Sequence, residues 1–337
     1  MRSAPRAGAI AAARMRRRDF IALASAAAWM VPVRAQEKPV IGYLGSETPE
    51  RYSSRLIAFR EGLAQAGYDE GRNVSIEYRW GEGRYNQLPA LAKELAGRKL
   101  AVIVAAGGAE VALAAKAATT KIPIVFEMGG DPVALGVVDS LSRPGGNLTG
   151  VSSLSVEVSR KRLEFMQEVR PGNNVFAVAI NPTSPTFGPQ LKNLHAAADS
   201  LGLKLIVLKA HTEPEFSGMF TAVREMWAGG LVFSSDPFFA YRSPQLAELA
   251  VRYAVPAITQ SRDFPLAGGL MSYGGDFNQS HRQSGIYAGR ILKGESTSDM
   301  PVQRVTKVEL FINLKAAGAL GLSFPPSLLT SADGVIE

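Results

Sequence analysis

Short apolar runs and longer stretches with helical spacing follow one another in turn along most of this chain. Such alternation admits parallel sheets covered by helices on both faces and little else, because every parallel connection needs a crossover. Val40-Ile41-Gly42-Tyr43-Leu44-Gly45 is the first run. Tyr52, Leu56, Phe59, Leu63 and Ala66 then step along one helix face that Gly67 closes. Residues 74–80 alternate as a strand with Val74, Ile76, Tyr78 and Trp80 on one side. Residues 101–105 are apolar throughout, as a strand buried on both faces is. The spacing predicts further strands over 124–126 and 148–152, and helices over 88–95, 110–118 and 132–141.

A helix over 156–169 restarts the rhythm. Strands follow at 175–180, 205–208, 231–233 and 257–259, with helices over 187–200, 214–227 and 241–252 between them. Together the two series exceed what one core usually holds, so the chain reads as two α/β lobes. Residues 270–337 hold a strand at 271–273, a helix over 278–293, a strand over 305–312 and a tail. That is too little for a third domain, and the segment is expected to return and complete the lobes. The expected division places 38–151 with 272–298 in the first lobe, and 152–271 with 299–337 in the second.

The N-terminus carries an address. Arginines stand at 14, 16, 17 and 18, and Ile21 to Val33 is small and apolar, too short to span a bilayer. Val33 and Ala35 supply small side chains before a cut at Gln36. Arg17-Arg18-Asp19-Phe20-Ile21 is the form read by the twin-arginine export route, so residues 1–35 are expected to be removed after Ala35 in the periplasm. Met15 opens a more ordinary signal than Met1 does.

Charge then becomes uninformative about polyanions. The chain has a net charge of +7, but residues 1–35 hold seven of its 37 basic residues and one of its 30 acids. The remaining 30 bases and 29 acids leave +1, which gives no electrostatic case for nucleic acid. With no cysteine, the chain has no disulfide, no thiolate chemistry and no lipid anchor on an N-terminal Cys.

In open parallel sheets ligands bind beyond the carboxyl ends of strands, where the N–H groups of following helices point outward. In the first lobe that rule selects Ser46 and Glu47, then Gly107, Gly108, Ala109 and Glu110, then Met128, Gly129 and Asp131. In the second it selects Asn181, Thr183 and Ser184, then Ser235, Asp236 and Phe238, then Arg262, with Tyr273 on a later strand. Small residues there permit close approach, while hydroxyls, amides and carboxylates fix orientation. The same residue types cap helices in every α/β protein, and Glu47, Asp131 and Asp236 each also read as a cap or first-turn acid.

Enzyme constellations are missing from the sequence. His195, His211 and His281 lack metal-ligand spacing, and no H-E-x-x-H, G-x-S-x-G, Walker or G-x-G-x-x-G pattern occurs. No catalysis, cofactor or metal is expected.

Several segments resemble one known family. They include Phe59-Arg60-Glu61-Gly62-Leu63, Asn73-Val74-Ser75-Ile76-Glu77-Tyr78, Ile122-Pro123-Ile124-Val125-Phe126, and Arg143-Pro144-Gly145-Gly146-Asn147-Leu148-Thr149-Gly150. Asp236-Pro237-Phe238-Phe239, Gly268-Gly269-Leu270-Met271-Ser272-Tyr273-Gly274 and Phe324-Pro325-Pro326-Ser327-Leu328-Leu329 continue the match through the second half. Over residues 38–337 the chain resembles the ABC-transporter substrate-binding proteins of the type I periplasmic-binding-protein superfamily, in the branch with members that bind tryptophan and other aromatic amino acids. The resemblance implies two Rossmann-like lobes joined by a hinge of three crossovers, each a parallel sheet flanked by helices, with a small-molecule ligand in the cleft. It implies as partners an ABC permease in the inner membrane and its cytoplasmic ATPase, with the binding protein itself a monomer. Family members carry Gly-Thr-Pro-Ala at the third turn, where this chain has Gly107-Gly108-Ala109-Glu110.

The expected ligand is a small polar or zwitterionic molecule, an amino acid or related carboxylate. Its carboxylate would accept bonds from N–H groups at 108–110, and an ammonium would pair with Asp131, Asp236 or Glu47. Two alternatives stay open at this point: a periplasmic sensor that docks on a receptor, and a periplasmic α/β enzyme.

Overall fold

The computed structural model describes residues 38–153 and 155–337. The export address expected at 1–35 lies outside them.

The first lobe opens with β1 (Val40–Gly45), α1 (Ser53–Gln65), β2 (Ser75–Trp80), α2 (Leu88–Ala96) and β3 (Val102–Ala106). It continues with α3 (Ala109–Ala118), β4 (Ile124–Met128) and β5 (Leu148–Ser153). β3 and β4 are buried along their whole length, which is why their sequences do not alternate; β2, at an edge, is half-buried and does. One buried carboxylate, Glu127, interrupts the apolar run of β4.

The second lobe runs through α4 (Ser159–Val169), β6 (Val175–Ile180), α5 (Phe187–Leu201), β7 (Lys204–Lys209), α6 (Glu215–Glu225) and β8 (Leu231–Phe233). Then come α7 (Pro237–Tyr241), α8 (Ser243–Arg252), β9 (Ala257–Thr259), α9 (Asp263–Leu266) and β10 (Met271–Gly275). From there α10 (Phe277–Leu292) packs back on α1 and β3 to β5 of the first lobe. β11 (Gln303–Val305) pairs with β5, and the chain then turns to β12 (Val308–Asn313), α11 (Leu314–Ala319), α12 (Pro326–Ser331) and β13 (Gly334–Ile336).

Two sheets result. The first has the order β11-β5-β4-β3-β1-β2 and is parallel throughout. The second has the order β13-β12-β10-β9-β8-β6-β7, with a single antiparallel pair, β10 against β12. Each is a Rossmann-like α/β layer with apolar clusters on both faces. The chain passes between the sheets after Ser153, at Asp276 and at Thr306-Lys307. The last two straps are tied: Asp276 N–H donates to Lys307 O at 3.1 Å, and Lys307 Nζ reaches Asp276 Oδ2 at 3.0 Å.

Helices α1 and α10 meet backbone to backbone. A Cβ on Gly62 would lie 1.9 Å from Arg282 O, and one on Gly285 would lie 2.1 Å from Phe59 O. Only glycine permits that approach.

Three expectations fail here. The helix over 132–141 is absent: Val137 N–H closes on Pro132 O and Gly136 takes φ +65°, so the turn ends as soon as it forms. The strand over 305–312 breaks at Thr306-Lys307 into β11 and β12, which belong to different sheets. The final switch into the second lobe therefore falls at 306–307 and not near 299, and β10 stays in the second sheet through Gly275.

Candidate ligand-binding cleft

Strand register brings the first lobe's turns to one level. Gly45 pairs with Ala106, and Ala106 with Glu127, so the ends of β1, β3 and β4 are flush. Gly107 and Gly108, with φ +104° and +128°, turn the chain out of β3 into α3. A Cβ on Gly107 would lie 1.8 Å from the Tyr52 hydroxyl. In the second sheet Ala179 pairs with Phe233, which aligns the turns after β6 and β8.

These turns face one another across a cavity of about 50 Å³. Glu47, Arg55, Gly107, Gly108, Ala109, Glu110, Glu127, Gly129 and Gly130 line one side. Thr186, Ser235, Pro237, Ala240 and Gln260 line the other, and Val156 and Phe277 border it beside the straps. Direct bonds hold the lobes together at its rim. Ser184 Oγ donates to Glu110 Oε1 at 2.7 Å, and the Tyr85 hydroxyl donates to Asp236 Oδ1 while accepting from Phe238 N–H at 3.1 Å. This is a closed arrangement of the two lobes.

The wall is acidic. Glu47 Oε1 accepts from Arg55 Nη1 at 2.9 Å; burial pushes the Glu47 carboxyl up and the guanidinium opposes it. Burial works against the Arg55 charge too, but Glu47, Tyr52 and Asp263 outweigh it and hold it protonated. Glu127 is pushed up to about 7 by burial. Glu110 is pushed up to about 8 by burial and then by the charge of Asp236, itself raised by burial. Among the described residues Glu47 Oε2, Glu127 Oε1 and Asp236 Oδ2 have no hydrogen-bond partner. Buried acceptors of that kind cost free energy unless something completes them.

The second lobe's buried cation is already committed. Arg162 donates to Tyr273 O at 2.9 Å, Ser155 O at 3.1 Å, Ser159 Oγ at 2.8 Å and Ser235 Oγ at 2.7 Å. Burial lowers it to about 9, so it stays charged at neutral pH. Gln190 braces the same turn, donating to Ser235 O and accepting from Ser235 N–H, each at 2.8 Å.

Of the residues selected from sequence, Glu47, Gly107, Gly108, Ala109, Glu110, Gly129 and Ser235 line the cavity. Ser184 and Asp236 stand at its closing contacts, and Asn181 Oδ1 accepts from Thr183 N–H and Oγ1 beside them. The others are placed elsewhere. Ser46 lies behind the wall, 3.0 Å from the Tyr52 hydroxyl. Met128 and Phe238 are core residues of their own lobes. Asp131 is exposed and caps its own turn, accepting from Val133 N–H at 2.9 Å and Ala134 N–H at 3.2 Å. Arg262 lines a separate cavity with Arg51 and Asp276, and the Tyr273 ring packs on Phe165.

The helix N-terminus at 108–110 is also occupied. The Glu110 carboxylate accepts from its own backbone N–H, and its Oε2 sits 2.7 Å from where a Gly108 Cβ would be. A carboxylate supplied by the chain thus sits where a ligand carboxylate is expected. Sequence reading missed Arg55 and Glu127, although each leaves a trace: a guanidinium among the apolar positions of α1, and a carboxylate inside an apolar strand.

Residues 49–336 match the family model described as "ABC transporter substrate binding protein". A protein of Clostridioides difficile (strain R20291) named "Tyrosine-binding protein" is 26% identical over 265 residues, covering 78% of this chain and 75% of that one. Among solved structures, a conserved domain protein from Vibrio cholerae superposes with a TM-score of 0.82 at 25% identity, covering 89% of this chain and 100% of that one. An ABC domain in complex with L-Trp from a Streptococcus superposes with a TM-score of 0.81 at 23% identity, with the same coverage, and supports the fold.

Proposed function

This chain belongs to the ABC transporter substrate binding protein family, and from that premise we propose that it is the extracytoplasmic solute-binding component of an importer. It holds a small amine-bearing molecule, an amino acid or a related compound, in the cleft between its lobes. Proteins of this family bind substrates and do not convert them. The observation that carries the reading is the cavity itself, bordered by strand-end turns of both sheets and lined by buried carboxylate oxygens that lack partners among the described residues. An ammonium group completes such oxygens.

Contacts to both lobes make the ligand favour the closed state, which a permease distinguishes from the open one. The partners are an inner-membrane permease and its ATPase, and the protein acts as a monomer in the periplasm. Arg17-Arg18 and the Val33-Arg34-Ala35 site support export by the twin-arginine route with cleavage after Ala35. The name of the C. difficile relative supports amino acids as the first compounds to test.

A thermal-shift screen over amino acids, aromatic acids and amines tests the reading. A tight ligand in excess adds roughly 3–4 kcal/mol of stability. Turnover of any screened compound, or a flat response to all of them, defeats it.

A further inference from the structure

We propose that the cleft is built for an organic cation with two separated positive centres and no carboxylate at the α3 end, a diamine, polyamine or guanidino amine. This rests on the binding-protein reading and narrows its ligand class.

Four observations converge. The position an incoming carboxylate needs, at the start of α3, is filled by Glu110, which accepts from its own N–H and from Ser184 of the facing lobe. A second carboxylate placed there finds its donor taken and disfavours ionisation of Glu110, whereas a cation favours that ionisation and meets an acceptor beside Asp236. Next, Glu47 and Glu127 are each 2% exposed and line the cavity, and each leaves one oxygen without a partner among the described residues. Once ionised, carboxylates accept hydrogen bonds and donate none, so a bound cation would supply the donor these oxygens lack and favour their charged form.

Third, both arginines near the cavity are already engaged by groups of the chain, although Arg162 Nε itself has no partner among the described residues. Arg55 is bonded to Glu47, sits 3.9 Å from Asp263, and lies over the rings of Tyr52 and Phe277 at 4.8 and 4.9 Å. Arg162 spends its terminal nitrogens on four acceptors of the second lobe and its straps. Lastly, among the described residues no three acidic or histidine groups converge closely enough to hold a metal ion. The carboxylates act on one another in two pairs, Glu47 with Glu127 beside the single charge of Arg55, and Glu110 with Asp236, an arrangement that suits two nitrogen centres on one slim molecule better than a single ion.

The test uses putrescine, agmatine and spermidine against tyrosine, tryptophan and glutamate, by thermal shift and calorimetry at pH 8. At least one amine is expected to bind at one site and raise Tm, with no response to glutamate. Glu127→Gln and Glu110→Gln, which keep side-chain shape, are each expected to weaken that amine on the order of tenfold while the unliganded variants melt no lower than the wild type. Silence of all three amines overturns the cation assignment, as does amine binding that neither substitution weakens. Binding of tyrosine or tryptophan with the amines silent leaves the importer reading standing, whereas silence throughout the wider screen of amino acids, aromatic acids and amines removes that reading as well.

Discussion

The Tyr85 hydroxyl bridges the lobes, donating to Asp236 at the N-cap of α7 and accepting from the Phe238 N–H that the same carboxylate caps. One phenol thus joins the rim of the first lobe to a helix start in the second in this closed arrangement. A hydrogen bond to a charged group contributes about 1.5–3 kcal/mol net. Tyr85→Phe is therefore expected to shift the protein toward the open state and weaken ligand on the order of tenfold. Small-angle scattering of the unliganded variant is expected to give a larger radius of gyration; an unchanged radius and affinity would show that the phenol does not hold closure.

Acidity of the cleft sets a pH dependence. Burial raises Glu127 to about 7 and Glu110 to about 8, above the ordinary carboxyl value of 4.5. Between 4.5 and about 8 the folded protein holds protons at these sites that the unfolded chain has released, so their contribution to stability falls as pH rises through that window. Relative to the wild type, Glu110→Gln and Glu127→Gln are expected to gain stability from pH 5 to pH 8.5. Paired melting curves check this, and parallel curves at all pH values count against it.

Backbone geometry at the third turn leaves no room for a side chain. Gly107 has φ +104° and its Cβ would collide with the Tyr52 hydroxyl, whereas Gly136 has φ +65° with nothing within 4 Å. Gly136→Ala is expected to cost about 1–2 kcal/mol, the left-handed penalty alone. Gly107→Ala is expected to cost about 2 kcal/mol more through forced repacking, read as the difference between their denaturant midpoints.

Asp131 and Asp236 separate capping from binding. Asp131→Ala is expected to lose about 1 kcal/mol of stability and leave ligand affinity unchanged. Asp236→Ala removes a cap, the Tyr85 bond and a cleft charge together, so affinity is expected to drop with it. Calorimetry on both variants decides; equal losses of affinity would return Asp131 to the site.

The sheets were legible because β3 and β4 are apolar without interruption and the helices between them keep one apolar face. The strand-end rule reached Glu47, the 107–110 turn, Gly129 and Ser235 for the same reason: register makes those ends flush. It failed where a residue serves the site from inside an element, as Glu127 does from β4 and Arg55 from α1. It overreached at Met128 and Phe238, apolar residues at a turn that belong to cores. Residues 303–313 defeated it differently, since both lobes offer an edge and local pattern carries no information about which edge a short strand joins.

The glycine seam between α1 and α10 bears on how the molecule moves. With no side chains interposed to slide or re-rotamer, α10 travels as part of the first lobe, and flexing is confined to the few peptides on either side of it. Because Asp276 and Lys307 clasp two of those crossings to each other, the halves swing about one shared axle. Opening would then be a whole-body rocking of one sheet against the other, with a guest between them enclosed or released as a unit.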